Sequence, residues 1–159
     1  MHVLWAPWRM AYIGGARDPG CFFCQASTTD DPRRALMLQR EPALVMLNRF
    51  PYANGHVMVA PRAHTADFIH LPREEVHSLA ETVQQVVAKM REVFRCDGFN
   101  VGLNLGQAGG AGVADHMHWH IVPRWLGDTN FMPMLADVRV MSDHLEAVYD
   151  KLKPLFQAT

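Results

Sequence analysis

The strongest constraint on this chain is a stretch in which histidine alternates with apolar residues, His116, His118 and His120 within the letters HMHWHI. Successive side chains of a β-strand point to opposite faces, so the histidines would share one face while the apolar residues pack into the core behind them. Each imidazole nitrogen needs a partner once buried, which makes such a row costly for packing alone. The pattern leaves three interpretations open: a polar strand face, metal binding, and chemistry on a phosphate.

Length and composition favour a single domain without a general affinity for nucleic acid. The chain has 159 residues and a formal net charge of -1, which provides no bulk electrostatic attraction for a polyanion. No apolar run approaches the ~20 residues that a membrane span needs, and the first residues do not resemble a secretory leader. Three cysteines are an odd and sparse set that suits a reducing compartment. We therefore expect a cytoplasmic protein that binds neither nucleic acid nor membranes.

Apolar periodicity and turn residues predict an α+β domain. A long helix is predicted over residues 72–94, where apolar residues recur at spacings of three and four. A second helix is predicted over residues 142–155, with Ser142 as its N-cap. The strands are predicted at residues 35–40, 43–48, 56–61 and 99–104 and in the histidine stretch. These elements predict an antiparallel sheet of about five strands with the long helix packed across it.

The chain contains no repeat, low-complexity tract or linker that would separate domains. Residues 1–34 are rich in proline and glycine and predict an irregular N-terminal arm that carries a Cys-x-x-Cys pair. Residues 35–125 form the predicted core, and residues 126–159 a C-terminal extension with its helix, all within one domain. The apolar anchors of the arm are expected to be Trp5, Trp8, Tyr12 and Ile13.

A loop with four glycines in seven residues, 106–112, leads directly into the histidine stretch. Glycine lets backbone amides approach an anion closely and form a nest of N–H donors. A flexible surface loop is the alternative interpretation. Because the loop leads directly into the histidine stretch, we favour the interpretation that it binds a phosphate beside the histidines.

The histidine stretch resembles the motif of the histidine-triad (HIT) superfamily of nucleotide hydrolases and transferases, in which three histidines are separated by apolar residues. Upstream, Asn48 and the Asn54-Gly55-His56 element are similar to the strand–turn–strand of that family with its Gly-His pair. The resemblance runs from about residue 19 to residue 125. The flanking segments resemble a bacterial branch described as ATP adenylyltransferase or diadenosine-polyphosphate phosphorylase-like. The resemblance implies a HIT-like fold and a homodimer.

The resemblance also implies a reaction at the α-phosphate of dinucleoside polyphosphates or related nucleotides. His118 would attack the α-phosphorus and form a covalent nucleotidyl-histidine, a role that suits an imidazole that is largely neutral at pH 7. His120 would donate to the phosphate oxygens or assist the leaving group, and His56 would support the nucleophile from the neighbouring strand. His116 is the first histidine of the catalytic motif. The alternative function is a regulatory nucleotide-binding protein with little turnover.

The same resemblance implies the nucleotide contacts. Asn48 stands where the family contacts the ribose hydroxyls, while Asn104 and the loop amides, Gly110 and Gly112 among them, would contact the phosphates. The chain departs from the pattern at Val113, where hydrolases of the superfamily often carry a serine or threonine. This departure weakens any transfer of their detailed substrate preference.

Cys21 and Cys24 provide half of a tetrahedral zinc site, and His64 and His116 are candidates for the other half. Some proteins of the resembled family use such a set of two cysteines and two histidines, with the first motif histidine as a ligand. That resemblance implies a structural zinc ion, whereas the alternative is a pair of inert, reduced cysteines. A catalytic metal held by all three motif histidines is disfavoured, because alternate residues of a strand lie ~6.6 Å apart.

Overall fold

The computed structural model describes residues 20–128 and 143–157. The prediction of an α+β fold is confirmed. The five strands form one antiparallel sheet in the order β1-β2-β3-β5-β4. No helix in the described part of the chain is long and apolar enough to cross a membrane. The elements in chain order are α1 (Phe22–Thr28), β1 (Met37–Gln39), β2 (Leu44–Leu47), β3 (Val57–Ala60), α2 (Arg73–Phe94), β4 (Gly98–Leu103), β5 (Trp119–Arg124), α3 (Leu145–Leu152) and a 3-10 turn (Lys153–Phe156).

The long helix α2 follows its predicted bounds almost to the residue. Pro72 occupies the N-cap, and Glu74 and Glu75 in the first turn favour the positive end of the helix dipole. The helix ends where Arg95 adopts a left-handed conformation, with φ of 48°. Its buried face packs against the sheet and places α2 across β3 and β5.

The sheet has two buried faces, and they separate the packing core from the histidines. On the first, which we call the α2 face, Val57, Val59 and Ile121 pack with α2 and α3. On the second, the α1 face, Met58 packs with α1 and its buried Phe23. His120 lies opposite Met58 in the β3–β5 ladder and therefore projects from the α1 face, away from the helical core.

The prediction of an irregular arm is wrong for its described part. Residues Phe22–Thr28 form α1, which begins directly after Cys21. No proline or glycine interrupts residues 21–31, and Phe23 is fully buried on the α1 face, so tertiary packing stabilises a helix too short to form alone. The predicted anchors of the arm lie in residues 1–19, outside the described residues.

The last strand begins three residues later than the alternation suggested. β5 starts at Trp119, so His116 and His118 lie in the approach to the strand. Before that point, the Met117 N–H donates to the Thr65 carbonyl, in a loop, at 2.8 Å. Within β5 the predicted alternation holds, because Trp119 and Ile121 pack on the α2 face while His120 projects from the other.

The C-terminal helix is shorter than predicted at both ends. α3 spans Leu145–Leu152 and then tightens into a 3-10 turn over Lys153–Phe156, with Pro154 in its first turn. The N-cap is His144, so the prediction of Ser142 as N-cap is wrong; Ser142 itself lies outside the described residues.

Candidate active site and metal cluster

The entry to β5 brings all three motif histidines together against α1. His116 and His118 are buried, with 0% and 4% of their surfaces exposed. The ring of Phe23 lies 4.9 Å from the rings of both, measured between centroids. The rings of His118 and His120 are 4.8 Å apart. The three side chains are neighbours, yet their hydrogen bonds give them different orientations and different roles.

The protonation state of His118 follows from its partner. Its Nδ1–H donates to the main-chain carbonyl of His116, with 2.9 Å between nitrogen and oxygen. A carbonyl can only accept, so Nδ1 carries the proton and Nε2 carries the lone pair. Burial lowers the pKa of His118, against the opposing effect of this hydrogen bond. The ring is therefore neutral near pH 7 and presents Nε2 as a nucleophile.

A chain of hydrogen bonds fixes the proton of His120 in the same way. The Tyr52 N–H donates to Nδ1 of His56 at 3.1 Å, so neutral His56 carries its proton on Nε2. That Nε2–H donates to Nδ1 of His120 at 2.9 Å. The proton of His120 then lies on Nε2, which is buried and has no hydrogen-bond partner among the described residues. This N–H group is therefore a donor whose acceptor is not among the described residues.

His56 and His120 are both uncharged in the folded protein near neutral pH. Burial, followed by the charges of His120 and His118, lowers the pKa of His56 to about 3. Burial and the charge of His118 lower the pKa of His120 to about 4. The rings of His56, His118 and His120 are therefore uncharged near neutral pH.

Asn48 and Tyr52 extend the site along the turn between β2 and β3. The side-chain oxygen of Asn48 accepts from the Phe50 N–H at 2.8 Å, and its amide nitrogen lies 3.3 Å from Nδ1 of His56. The ring of Tyr52 lies 4.7 Å from that of His56 and 5.5 Å from that of His120. Sequence reasoning missed Tyr52 and Phe23 as site residues. An aromatic side chain three residues before the Gly-His pair was the available signal for Tyr52.

The glycine loop is a compact turn closed by its own hydrogen bonds. Gly106 and Gly110 have φ of 69° and 85°, and a Cβ at Gly109 would lie 2.4 Å from the Leu105 carbonyl oxygen. The side-chain amide of Asn104 donates to the Gly110 carbonyl at 3.3 Å. The loop, including Gly112, is largely exposed and runs into His116. Phosphate binding by these residues stays a prediction.

Four side chains converge beside the motif, and three of their donor separations are close to those of a tetrahedral metal site. The donor atoms of Cys21, Cys24, His64 and His116 all lie within 4.8 Å of one another. Nδ1 of His116 is 3.2 Å from the Cys21 sulfur and 3.7 Å from the Cys24 sulfur, which is itself 3.4 Å from Nδ1 of His64. Zinc bonded to sulfur and nitrogen at its usual lengths needs ligand separations of about 3.3–3.8 Å.

The hydrogen bonds around this cluster orient it for a metal. The Nε2–H of His116 donates to the Pro61 carbonyl at 2.9 Å, which directs the lone pair of Nδ1 toward the cysteines. Burial, followed by the hydrogen bond and charge of the neighbouring Cys21, raises the pKa of the Cys24 thiol. A metal ion bound to this sulfur would displace its proton. The donor set and its orientation fit zinc.

The geometry gives no support to a single catalytic metal held by the three motif histidines. His116 faces the cysteines, Nδ1 of His118 is bonded to a backbone carbonyl, and Nδ1 of His120 is bonded to His56. Their rings therefore do not converge on one point.

Comparison with known proteins identifies relatives across most of the chain. The family model described as HIT domain matches residues 31–125. A curated protein of Mycobacterium tuberculosis named AP-4-A phosphorylase is 34% identical over 147 residues, covering 87% of this chain and 75% of that protein. An uncharacterized HIT-like protein of Saccharolobus solfataricus is 28% identical over 112 residues, covering 70% of this chain and 79% of its own.

Solved structures show the same fold. A Zn-bound histidine triad family protein from Mycobacterium smegmatis superimposes with a TM-score of 0.69 at 29% identity, covering 87% of this chain and 94% of that one. The diadenosine triphosphate hydrolase of Plasmodium falciparum, solved with cyclomarin A, superimposes with a TM-score of 0.60 at 17% identity, covering 77% and 74% of the two chains. At that identity the second likeness concerns the fold alone.

Proposed function

This chain belongs to the HIT domain family, and we propose that it is an enzyme that acts on the α-phosphate of dinucleoside polyphosphates or related nucleotides. The proposed reaction passes through a covalent nucleotidyl-histidine at His118. The observation that carries the proposal is the fixed, neutral ring of His118, which lies 4.8 Å from the ring of His120 and its unpartnered Nε2–H. The relative named AP-4-A phosphorylase supports the substrate class.

In the proposed first step, Nε2 of His118 forms a bond to the α-phosphorus while the bond from that phosphorus to the bridging oxygen breaks. The nucleoside polyphosphate leaves as an anion with the bonding electron pair. His120 donates a hydrogen bond from Nε2 to a phosphate oxygen and stabilises the charge that develops there. In the second step, an acceptor oxygen displaces His118 from phosphorus and restores the free ring.

The acceptor decides the reaction class, and a product analysis identifies it. The purified protein is incubated with diadenosine tetraphosphate, with and without inorganic phosphate, and the nucleotides are separated by chromatography. Phosphate as acceptor gives ADP and ATP, whereas water gives AMP and ATP. We expect ADP in the presence of phosphate, in line with the relative's name. Nucleotide binding without any turnover would overturn the proposal and favour a regulatory nucleotide-binding protein.

We propose that the cluster of Cys21, Cys24, His64 and His116 holds a structural zinc ion. Its support is the donor geometry, together with the Zn-bound protein of Mycobacterium smegmatis. Four protein ligands leave no open position on the metal, so the ion would tie α1 to the entry of β5 and take no part in the chemistry.

The remaining assignments follow from the same family membership. We propose that Asn48 contacts the ribose and that Asn104, Gly110 and Gly112 contact the phosphates. The exposed glycine loop next to His116 supports the second assignment, because an incoming phosphate can reach its backbone. Binding of nucleotide at this place would bring the α-phosphorus to the edge of β5.

A further inference from the structure

A second polar cavity lies at the edge of the sheet formed by β1, away from the histidines. It has a volume of about 360 Å³ and lies between β1 and the C-terminal 3-10 turn. Its polar lining includes Gln39, Arg40 and Lys153. In the sheet order, β1 and β2 separate this cavity from the β3–β5 pair that carries His56 and His120. The two places are therefore independent sites.

Two positive charges meet at this cavity. The ammonium group of Lys153 donates to the carbonyls of Met37 at 3.1 Å and Leu38 at 2.9 Å, which fixes it beside β1. Burial, followed by the charge of Arg40, lowers the pKa of Lys153, as expected for two nearby cations. Like charges held together at low solvent exposure disfavour the folded state unless an anion offsets them.

No carboxylate of the described residues forms an ion pair with either cation. Glu41 lines the cavity, but its carboxylate pairs with Arg62 at 2.7 Å, and its side chain is 71% exposed. The acidic group nearest to the cavity is thus directed to the surface by a partner of its own. The positive charge of Arg40 and Lys153 stays uncompensated within the described residues.

Two residues of the lining also carry buried hydrogen-bond donors without acceptors. Nε of Arg40 and the side-chain amide nitrogen of Gln39 are both buried and have no hydrogen-bond partner among the described residues. Arg40 uses a terminal nitrogen to bond the Thr29 carbonyl, which fixes the guanidinium beside the cavity. An unpartnered N–H group is stabilised by an acceptor oxygen, and two adjacent cations are stabilised by an anion.

We propose that this cavity binds a phosphate group between Arg40 and Lys153, supplied by inorganic phosphate or by a phosphate monoester such as a nucleotide. The planar guanidinium suits a tetrahedral oxyanion because it presents parallel N–H donors, and the lysine adds a point charge. The cavity exceeds the size of a lone phosphate, so the monoester also fits.

The test uses NMR signals that belong to the cavity alone. The full, zinc-loaded chain is labelled with ¹⁵N, and the Arg40 Nε–H and the Gln39 side-chain amide are followed while phosphate, AMP or acetate is added. We expect saturable shifts of both signals at millimolar phosphate. Saturation by phosphate alone assigns the free ion, and saturation by AMP as well assigns a monoester; both support the site. No saturable shift with either, or an equal response to acetate, overturns it.

Substitutions separate this site from the histidines. In Arg40→Gln, followed through the Gln39 amide, we expect phosphate affinity to fall at least ~10-fold, because a charged hydrogen-bonding partner is lost. Lys153→Gln serves as a second variant that leaves the Arg40 bond to Thr29 in place. Arg34→Gln is the matched control, since Arg34 is exposed and does not line the cavity. Unchanged affinity in both Arg40→Gln and Lys153→Gln would contradict the proposal.

Discussion

At the residue scale, three identical side chains acquire different orientations and proton positions through the hydrogen-bond partner that each one meets. His116 donates to the Pro61 carbonyl, and His118 donates to the carbonyl of His116. His120 accepts from His56. Each partner decides which ring nitrogen carries the proton and which carries the lone pair, and the proposed roles of metal ligand, nucleophile and donor follow from that difference.

His118→Asn tests the nucleophile. The ring lies on the approach to β5 and the packing of Ile121 on the α2 face is untouched, so we expect the fold and nucleotide binding to persist. Turnover should fall at least ~10³-fold, because no covalent intermediate forms. Steady-state rates and trapping of an acid-labile label from an α-labelled nucleotide measure both effects. The control is His77→Asn, an exposed site on α2. A near wild-type rate in His118→Asn would favour direct attack by water.

The neutral histidines predict a loss of stability in acid. The pKa of His56 is about 3 in the folded protein against 6.5 in the unfolded chain, so the unfolded chain takes up a proton first as the pH falls. The free energy of unfolding contributed by this group is complete above pH 6.5 and declines toward pH 3. For each such histidine the slope is up to about 1.4 kcal/mol per pH unit.

Chemical denaturation of the zinc-saturated protein across this pH range measures the slope. In His56→Gln the slope should decrease by up to about 1.4 kcal/mol per pH unit, the contribution of one proton. His77→Asn, at an exposed position on α2, is the surface control for replacement of a histidine. Identical slopes in wild type and His56→Gln would show that His56 titrates normally in the folded protein.

At the scale of elements, the sequence predicted the helix that a local pattern determines. It missed the features that depend on tertiary contacts. The stripe of apolar residues and the N-terminal Pro72 were sufficient for α2. The helix α1 depends on the burial of Phe23 against the sheet, which no local pattern contains. The late start of β5 has the same origin, since the Met117 N–H bonds a distant loop carbonyl.

The same distinction between local pattern and tertiary contact applies to the candidate site. The sequence predicted that Cys21, Cys24, His64 and His116 would meet, because their chemistry suggests a shared ligand, and the structure brings them together. It did not predict the hydrogen bond from the Tyr52 backbone to His56, because that contact depends on how the turn between β2 and β3 folds. Side-chain chemistry is visible in a sequence, whereas main-chain partners are not.

Replacement of Cys24, a proposed zinc ligand, should destabilise the attachment of α1 to the sheet. We expect about one zinc per chain by elemental analysis of protein purified without a metal-affinity tag, and loss of zinc with a lower melting temperature in Cys24→Ser. Cys96→Ser is the matched control, because Cys96 is buried away from the cluster. Full zinc content after replacement of both Cys21 and Cys24 would place the metal elsewhere.

At the scale of the whole molecule, the two edges of the sheet differ. The β1 edge is covered, because Tyr149 and Lys153 donate to carbonyls of β1. The β4 edge pairs only with β5, and the described residues include no strand beyond it. Val101 on β4 lies opposite Ile121 and therefore on the α2 face, yet it is 43% exposed. An unpaired edge with an exposed apolar side chain favours association.

We expect a homodimer that uses the β4 edge. Light scattering at micromolar concentration should give twice the chain mass for the wild type, and Val101→Lys should shift the population toward monomer, because a charge would be buried in the interface. Ile69→Lys is the control, since Ile69 is 84% exposed in a loop away from the sheet. A wild-type monomer would exclude the dimer, and a dimeric Val101→Lys would exclude this edge.

Residue 116 makes separate contacts through its side chain and its main chain. The imidazole of His116 belongs to the proposed metal cluster, while its carbonyl accepts from His118. Every amino acid supplies a carbonyl, so exchange of this histidine would remove the proposed metal ligand and leave the acceptor for His118 in place. The proposed metal site and the orientation of His118 can therefore be altered separately.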